Sequence, residues 1–263
     1  MWKNTYLFSI FILFFSIFHT NSAVSQVWTS TKVVGPFVCW GNFDLSKVEH
    51  ELAALEEVHI QLSRSLKLPA IQEWIEVYVF DGTDSWKHFL RENYPHVSYR
   101  RALFIKKKGH RCQLFVCKTE DFLIDIRHEG THALLDSSVS GVPEWLHEGL
   151  AEYFEVNPNV RLTGTEWFSA TQRNARFGIS RNLSSLEKIT DGMSMTNKDY
   201  RDAWAWVNFL LNGPPEVRSV LAETIADYAK GDVKMPVSER IKTKIKNPDG
   251  ALREFYRNLK KEK

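Results

Sequence analysis

The stretch "RHEGTHALL", residues 127–135, decides how this chain is read. It places His128 and His132 four residues apart, with Glu129 beside the first. On a helix that spacing brings both imidazoles to one face, a turn apart, where they can grip one metal ion. The chemistry known for a His-Glu-x-x-His helix is zinc held by the two histidines, with the glutamate as general base on a water. A catalytic zinc takes three protein ligands and keeps a fourth position open. The next helical stretch, "EWLHEGLAEYFE" at 144–155, is well started by Pro143 and offers Glu144, His147, Glu148, Glu152 and Glu155. Glu148 and His147 compete for the third position. They project about 100° apart around the helix, so only one of them can face the metal. If it is Glu148, then Glu152 sits one turn on. There it would accept a hydrogen bond from the outer nitrogen of a ligating histidine.

Working outward from this pair, the chain divides in two. Residues 26–120 read as strand-rich and 121–263 as helical, which is an α+β arrangement within one domain. "VVGPFVCWGNF" (33–43) reads as a strand interrupted by Gly-Pro, and "WIEVYVF" (74–80) as a strand ending in the turn "DGTD". "RALFIKKKGHRCQLFVCK" (101–118) reads as a hairpin around "KKGH". Between the strands, Leu45, Val48, Leu52, Leu55, Val58, Leu62 and Leu66 recur at three-and-four spacing, which marks one covering amphipathic helix. Downstream of the site, 156–182 is polar and irregular. Helices resume at 199–213, 214–231 and 247–261.

The first 25 residues differ from the rest. Lys3 precedes a 13-residue apolar run, Tyr6 to Phe18, and small residues follow at Ala23 and Ser25. That is the layout of a secretory signal peptide, and the run is short for a membrane span of about 20 residues. The expectation is an exported protein, secreted or periplasmic, or one tethered by this segment if it is not cleaved. Cys39, Cys112 and Cys117 then allow one disulfide, and Cys39 with one of the others is the better pairing. Five residues of strand set Cys112 and Cys117 on opposite faces, so they should not pair with each other. Three buried free thiols are the alternative. A net charge of +2, from 34 basic and 32 acidic residues, argues against nucleic-acid binding through bulk charge.

The residues carry a resemblance. "HEGTH" followed by "PEWLHEGLAEYFE" resembles the gluzincins, zinc peptidases of the peptidase MA-like group, in which a W-L-x-E-G-x-A-x-Y helix follows His-Glu-x-x-His. Here those positions are Trp145, Leu146, Glu148, Gly149, Ala151 and Tyr153. The resemblance implies a thermolysin-like catalytic domain: a small N-terminal sheet with its covering helix, the active-site helix pair, then a helical subdomain. It implies one zinc per chain on His128, His132 and Glu148, catalysis by Glu129, and Glu152 as the supporting carboxylate. In the related aminopeptidases a tyrosine that opens a later helix stabilises the oxyanion, and Tyr200 in "DYRDAWAWVNFLL" is similar in position. The sequence departs from the family in a short gap between His132 and Glu148. It also departs at Gly130, which costs about 1 kcal/mol against alanine inside a helix. No G-x-M-E-N element precedes the histidines, which points away from aminopeptidase action and towards an endopeptidase or narrow processing enzyme on peptide or protein substrates. The strand "RCQLFVC" is either the edge that an extended substrate joins or a plain core strand. Two other functions fit the same residues: an inactive zinc-binding adhesion or assembly module, and a metal-dependent hydrolase of non-peptide substrates.

Overall fold

A computed structural model describes residues 27–107 and 109–260. The leader expected at 1–25, Lys108 of the basic turn and the last three residues of the basic tail lie outside them. No helix of the described residues is long and apolar enough to cross a membrane.

The strands are β1 (Ser30–Val34), β2 (Phe37–Gly41), β3 (Ile75–Phe80), β4 (Ala102–Ile105) and β5 (Gln113–Cys117). They form one mixed sheet in the order β1-β2-β3-β5-β4. Both outer pairs are antiparallel hairpins, and β2-β3 and β3-β5 run parallel. Gly35-Pro36 therefore does not interrupt one strand. It is the turn of the β1-β2 hairpin, with Gly35 at a φ of +53° that a side chain would resist. The strand order also settles where the edges are: β5 is internal, and β4 is the free edge on that side.

The helices are α1 (Glu49–Leu66), α2 (Thr83–Asn93), α3 (Phe122–Ser138), α4 (Glu144–Phe154), α5 (Trp167–Arg176), α6 (Leu183–Leu186), α7 (Asn197–Asn212), α8 (Val220–Lys230), α9 (Val237–Lys244) and α10 (Pro248–Asn258). All seven stripe residues from Leu45 to Leu66 are buried. α1 and α3 cover one sheet face, and α2 covers the other. α2 was not expected, because Trp86 and Leu90 are its only buried side chains. They pack with Phe80, Leu103, Phe115 and Cys117 in a second, smaller core. The polar stretch 156–182 holds α5, whose buried side is only Phe168, Thr171 and Ala175. α6 and α9 were also not anticipated, and the helix expected over 214–231 begins only at Val220.

The three cysteines are separate buried thiols, so the expected disulfide is absent. Cys112 lies in the main core and Cys117 in the α2 core, on opposite faces as their separation requires. Cys39 shares the main core with Cys112, but strand β3 lies between β2 and β5. Two strand spacings amount to about 10 Å, beyond the reach of a disulfide.

α3 is the central helix, buried along Phe122, Ile126, Ala133, Leu134 and Leu135. A Cβ on Gly130 would lie 2.7 Å from Cδ2 of Leu55. The close approach of α1 thus accounts for the glycine that helix propensity disfavours. The main hydrophobic cluster runs from Val34 through α1, α3, α4 and α7 to Tyr256, so the strand-rich and helical parts share one core.

Candidate metal centre

α3 and α4 pack antiparallel, and their facing edges are polar. α3 presents His128, His132 and Asp136 at four-residue intervals. α4 meets them in reverse order: His147 beside Asp136, Glu148 between the two histidines, and Glu155, just past the helix end, beside His128. The Nε2 atoms of His128 and His132 are 3.2 Å apart. Oε2 of Glu148 is 3.7 Å from the first and 3.6 Å from the second. Two zinc bonds of about 2.0–2.1 Å meeting at the tetrahedral angle set their ligand atoms about 3.3–3.4 Å apart. The three observed separations bracket that value, and two imidazoles with a carboxylate are a donor set that zinc accepts.

The electrostatics suit a cation at this point. Burial works against the charge on Glu148, yet the His132 and His128 rings outweigh it and hold the carboxyl well below the usual carboxylate range. For His128 burial is outweighed in turn by Glu148 and Glu155, which raise it. For His132 burial prevails and lowers it.

The outer ring nitrogens decide which neighbours support the site. Nδ1 of His128 is 2.7 Å from Oε2 of Glu155. That is the place expected for Glu152. On α4, seven residues return to within about 20° of Glu148, whereas four residues leave Glu152 about 40° away. Glu152 instead accepts a hydrogen bond from Nε1 of Trp167 on α5, at 2.6 Å. Burial, then the neighbouring Glu155, push Glu152 up to about 7. His128, Glu152 and Glu155 also lie close enough together to hold an ion. Within this second set Nδ1 of His128 already faces Glu155, and Glu152 accepts from Trp167. His147 does not turn towards the Nε2 pair. Its Nδ1 faces Nδ1 of His132 at 2.5 Å, so of the two neighbours it is Glu148 that faces the Nε2 atoms.

Glu129 follows His128 on α3, close enough for its charge to act on that ring, and makes no hydrogen bond among the described residues. Tyr200 stands at the start of α7, near Glu148 and Glu152. Asp199 holds that helix start by accepting from Thr196 N and Oγ1, each at 2.7 Å, and by pairing with Arg181. Burial, then the charges of Glu148 and Glu152, push the Tyr200 phenol up to about 12, so it stands as a neutral donor. The edge strand beside this site is β4. Arg101 at its start pairs with Asp121 and with Asp125 Oδ1, the latter at 2.9 Å, and Lys106 at its end reaches Asp136 O at 3.4 Å. The Phe104 ring lies 6.3 Å from that of His132, with the planes 25° apart.

Glu155 is among the side chains that the sequence offers but has no assigned role there, and Asp136 and Trp167 were missed as members of the site. Two had a signal in the sequence: Glu155 is two turns after Glu148, and Asp136 is one turn after His132. Trp167 had none, since it arrives from α5. Compared with models of known protein families, the chain matches none, and no curated protein is significantly similar to it.

Proposed function

We propose that the chain is an exported zinc peptidase with a gluzincin-like catalytic domain. The observation that carries this reading is the convergence of His128 Nε2, His132 Nε2 and Glu148 Oε2 at 3.2–3.7 Å beside an unengaged Glu129. His128, His132 and Glu148 would hold one zinc per chain. Zinc, when bound there, supplies the Lewis acidity that acidifies a water and polarises a carbonyl. Glu129 takes the proton of the attacking water and hands it to the leaving amine. Tyr200 donates its phenolic hydrogen to the oxygen on which negative charge develops. Glu155 holds His128 in the tautomer whose Nε2 faces the site. An extended peptide fits the β4 edge: its backbone would continue the sheet, and β4 is tied to α3 at both ends. This replaces β5, an internal strand, as the substrate-pairing edge.

The test is a panel of quenched peptides set against ester and simple amide substrates, with the zinc-treated protein and its Glu129→Gln variant. The expected outcome is peptide cleavage that falls by about 10²- to 10⁴-fold in the variant, while zinc stays bound. Equal activity in the variant would refute the role of Glu129. Turnover of esters alone would replace the peptidase reading with a non-peptide hydrolase. Bound zinc with no turnover of any substrate would favour the adhesion or assembly module.

A further inference from the structure

We infer that His147, backed by Asp136, is the positioning residue that holds His132 in the metal-binding tautomer; the inference rests on the zinc reading above. His132 has two ring nitrogens and uses both. Nε2 faces His128 and Glu148, and Nδ1 lies 2.5 Å from Nδ1 of His147. The two ring planes are nearly parallel, 8° apart, with centroids 4.6 Å from each other. Nε2 of His147 is 3.3 Å from Oδ1 of Asp136.

Two nitrogens at that distance hold one proton between them, since two lone pairs or two N–H groups would repel. Without metal, either ring can carry it. With zinc on Nε2 of His132, its remaining proton has only Nδ1 to occupy. His147 then accepts at Nδ1, carries its own proton on Nε2 and donates it to Asp136. A single metal bond thereby sets the direction of the whole chain from His132 to Asp136. The usual outer partner of a metal-bound histidine is a carboxylate, a carbonyl or water. His128 follows that pattern through Glu155, whereas His132 uses a second imidazole.

The arrangement also explains why the clamp is made from these residues. α3 supplies the ligand His132 and, one turn on, Asp136; α4 supplies the ligand Glu148 and, next to it, His147. Any slide of one helix along the other would break the ligand set and the clamp together. Sharing the same helix pair, they fix each other's register.

The experiment is a chelator-competition measurement of zinc affinity on the full chain, with helicity followed by circular dichroism. Wild type is compared with His147→Leu, His147→Asn and Asp136→Ala. His147→Leu removes the acceptor and is expected to weaken zinc binding by about 10- to 100-fold. His147→Asn keeps an acceptor oxygen near the Nδ1 position, and its affinity is expected within about threefold of wild type. Asp136→Ala, which leaves His132 and His147 in place, is expected to lose affinity in the same direction and by less. Unchanged affinity in His147→Leu and Asp136→Ala would overturn the inference. A loss in His147→Asn as large as in His147→Leu would also overturn it, because His147 would then be a ligand or a packing group. A wild-type chain that holds no zinc would instead refute the zinc reading itself, and the wild-type arm shows that separately.

Discussion

Helix α4 has two working faces, and they are held by different means. Towards α7 it presents Gly149, where a Cβ would lie 2.8 Å from the backbone oxygen of Ala203 and 2.9 Å from Val207 Cγ2. Towards α3 it presents His147 and Glu148, with Glu155 at its end. The first face is backbone against backbone with no room to give. The second is a set of charged and polar groups whose geometry is fixed by hydrogen bonds. The difference shows how the site is supported. Gly149 follows Glu148 directly, so the contact that brings α7 and Tyr200 close also fixes Glu148. The polar face inherits its precision from the apolar one.

Breaking the apolar face should have the largest effect. Gly149→Val inserts a branched side chain against the Ala203 carbonyl. Urea unfolding should report a loss of more than about 3 kcal/mol, or no folded protein at all. A variant as stable as wild type would mean that α4 and α7 do not meet this closely. Next comes the group that α7 delivers. Tyr200→Phe should lower kcat on a peptide substrate by about 10²-fold, with zinc content unchanged. An unaltered kcat would reduce Tyr200 to a packing residue. The polar face can be sharpened by comparing its two carboxylates. Glu155→Gln should weaken zinc binding by about 10- to 100-fold, and Glu152→Gln by a few-fold at most. The reverse order would restore Glu152 to the supporting role.

The smallest effect lies on α3 itself. Burial pushes Asp125 up to about 6 despite the opposing Arg101 charge, and its Oδ2 is buried without a hydrogen bond. The folded state therefore binds this proton more tightly than the unfolded chain does. The group contributes most below about pH 4, and that contribution is lost as pH rises to about 6. Asp125→Asn keeps an oxygen for Arg101 and removes the penalty. Near pH 7 the variant should be about 1 kcal/mol more stable, after allowance for solvent screening, with no gain at pH 4. Equal unfolding midpoints at both pH values would contradict this.

The same contrast separates what could be read in the sequence from what could not. α1 was legible because Leu52, Leu55, Val58, Leu62 and Leu66 recur over about four turns of helix and all face the core, while Leu45 and Val48 continue the stripe in a 3-10 turn just before it. α2 and α5 were not, because each buries only two or three side chains among polar ones. The hairpin at Gly35-Pro36 is not legible as one, since a glycine-proline pair marks a turn without saying whether the chain returns. Strand order was out of reach. The parallel pairs β2-β3 and β3-β5 are joined across helices, and nothing local says that β5 ends up inside β4. At the site, the pair His128 and His132 was visible because four residues is a local helical distance. The choice between His147 and Glu148 depended on how α4 turns against α3, which spacing along one helix cannot fix. The place of Glu155 over Glu152 depended on the two helices being antiparallel, and that of Trp167 on a helix that had not been seen.

The measurement closest to the central claim is the metal content of the purified protein after incubation with zinc and desalting, beside a His132→Ala control. The account predicts about one zinc per chain in the wild type and none retained in the control. A folded wild-type protein that keeps no zinc, or a His132→Ala variant that keeps as much, would contradict it: His128, His132 and Glu148 would then not form a metal site.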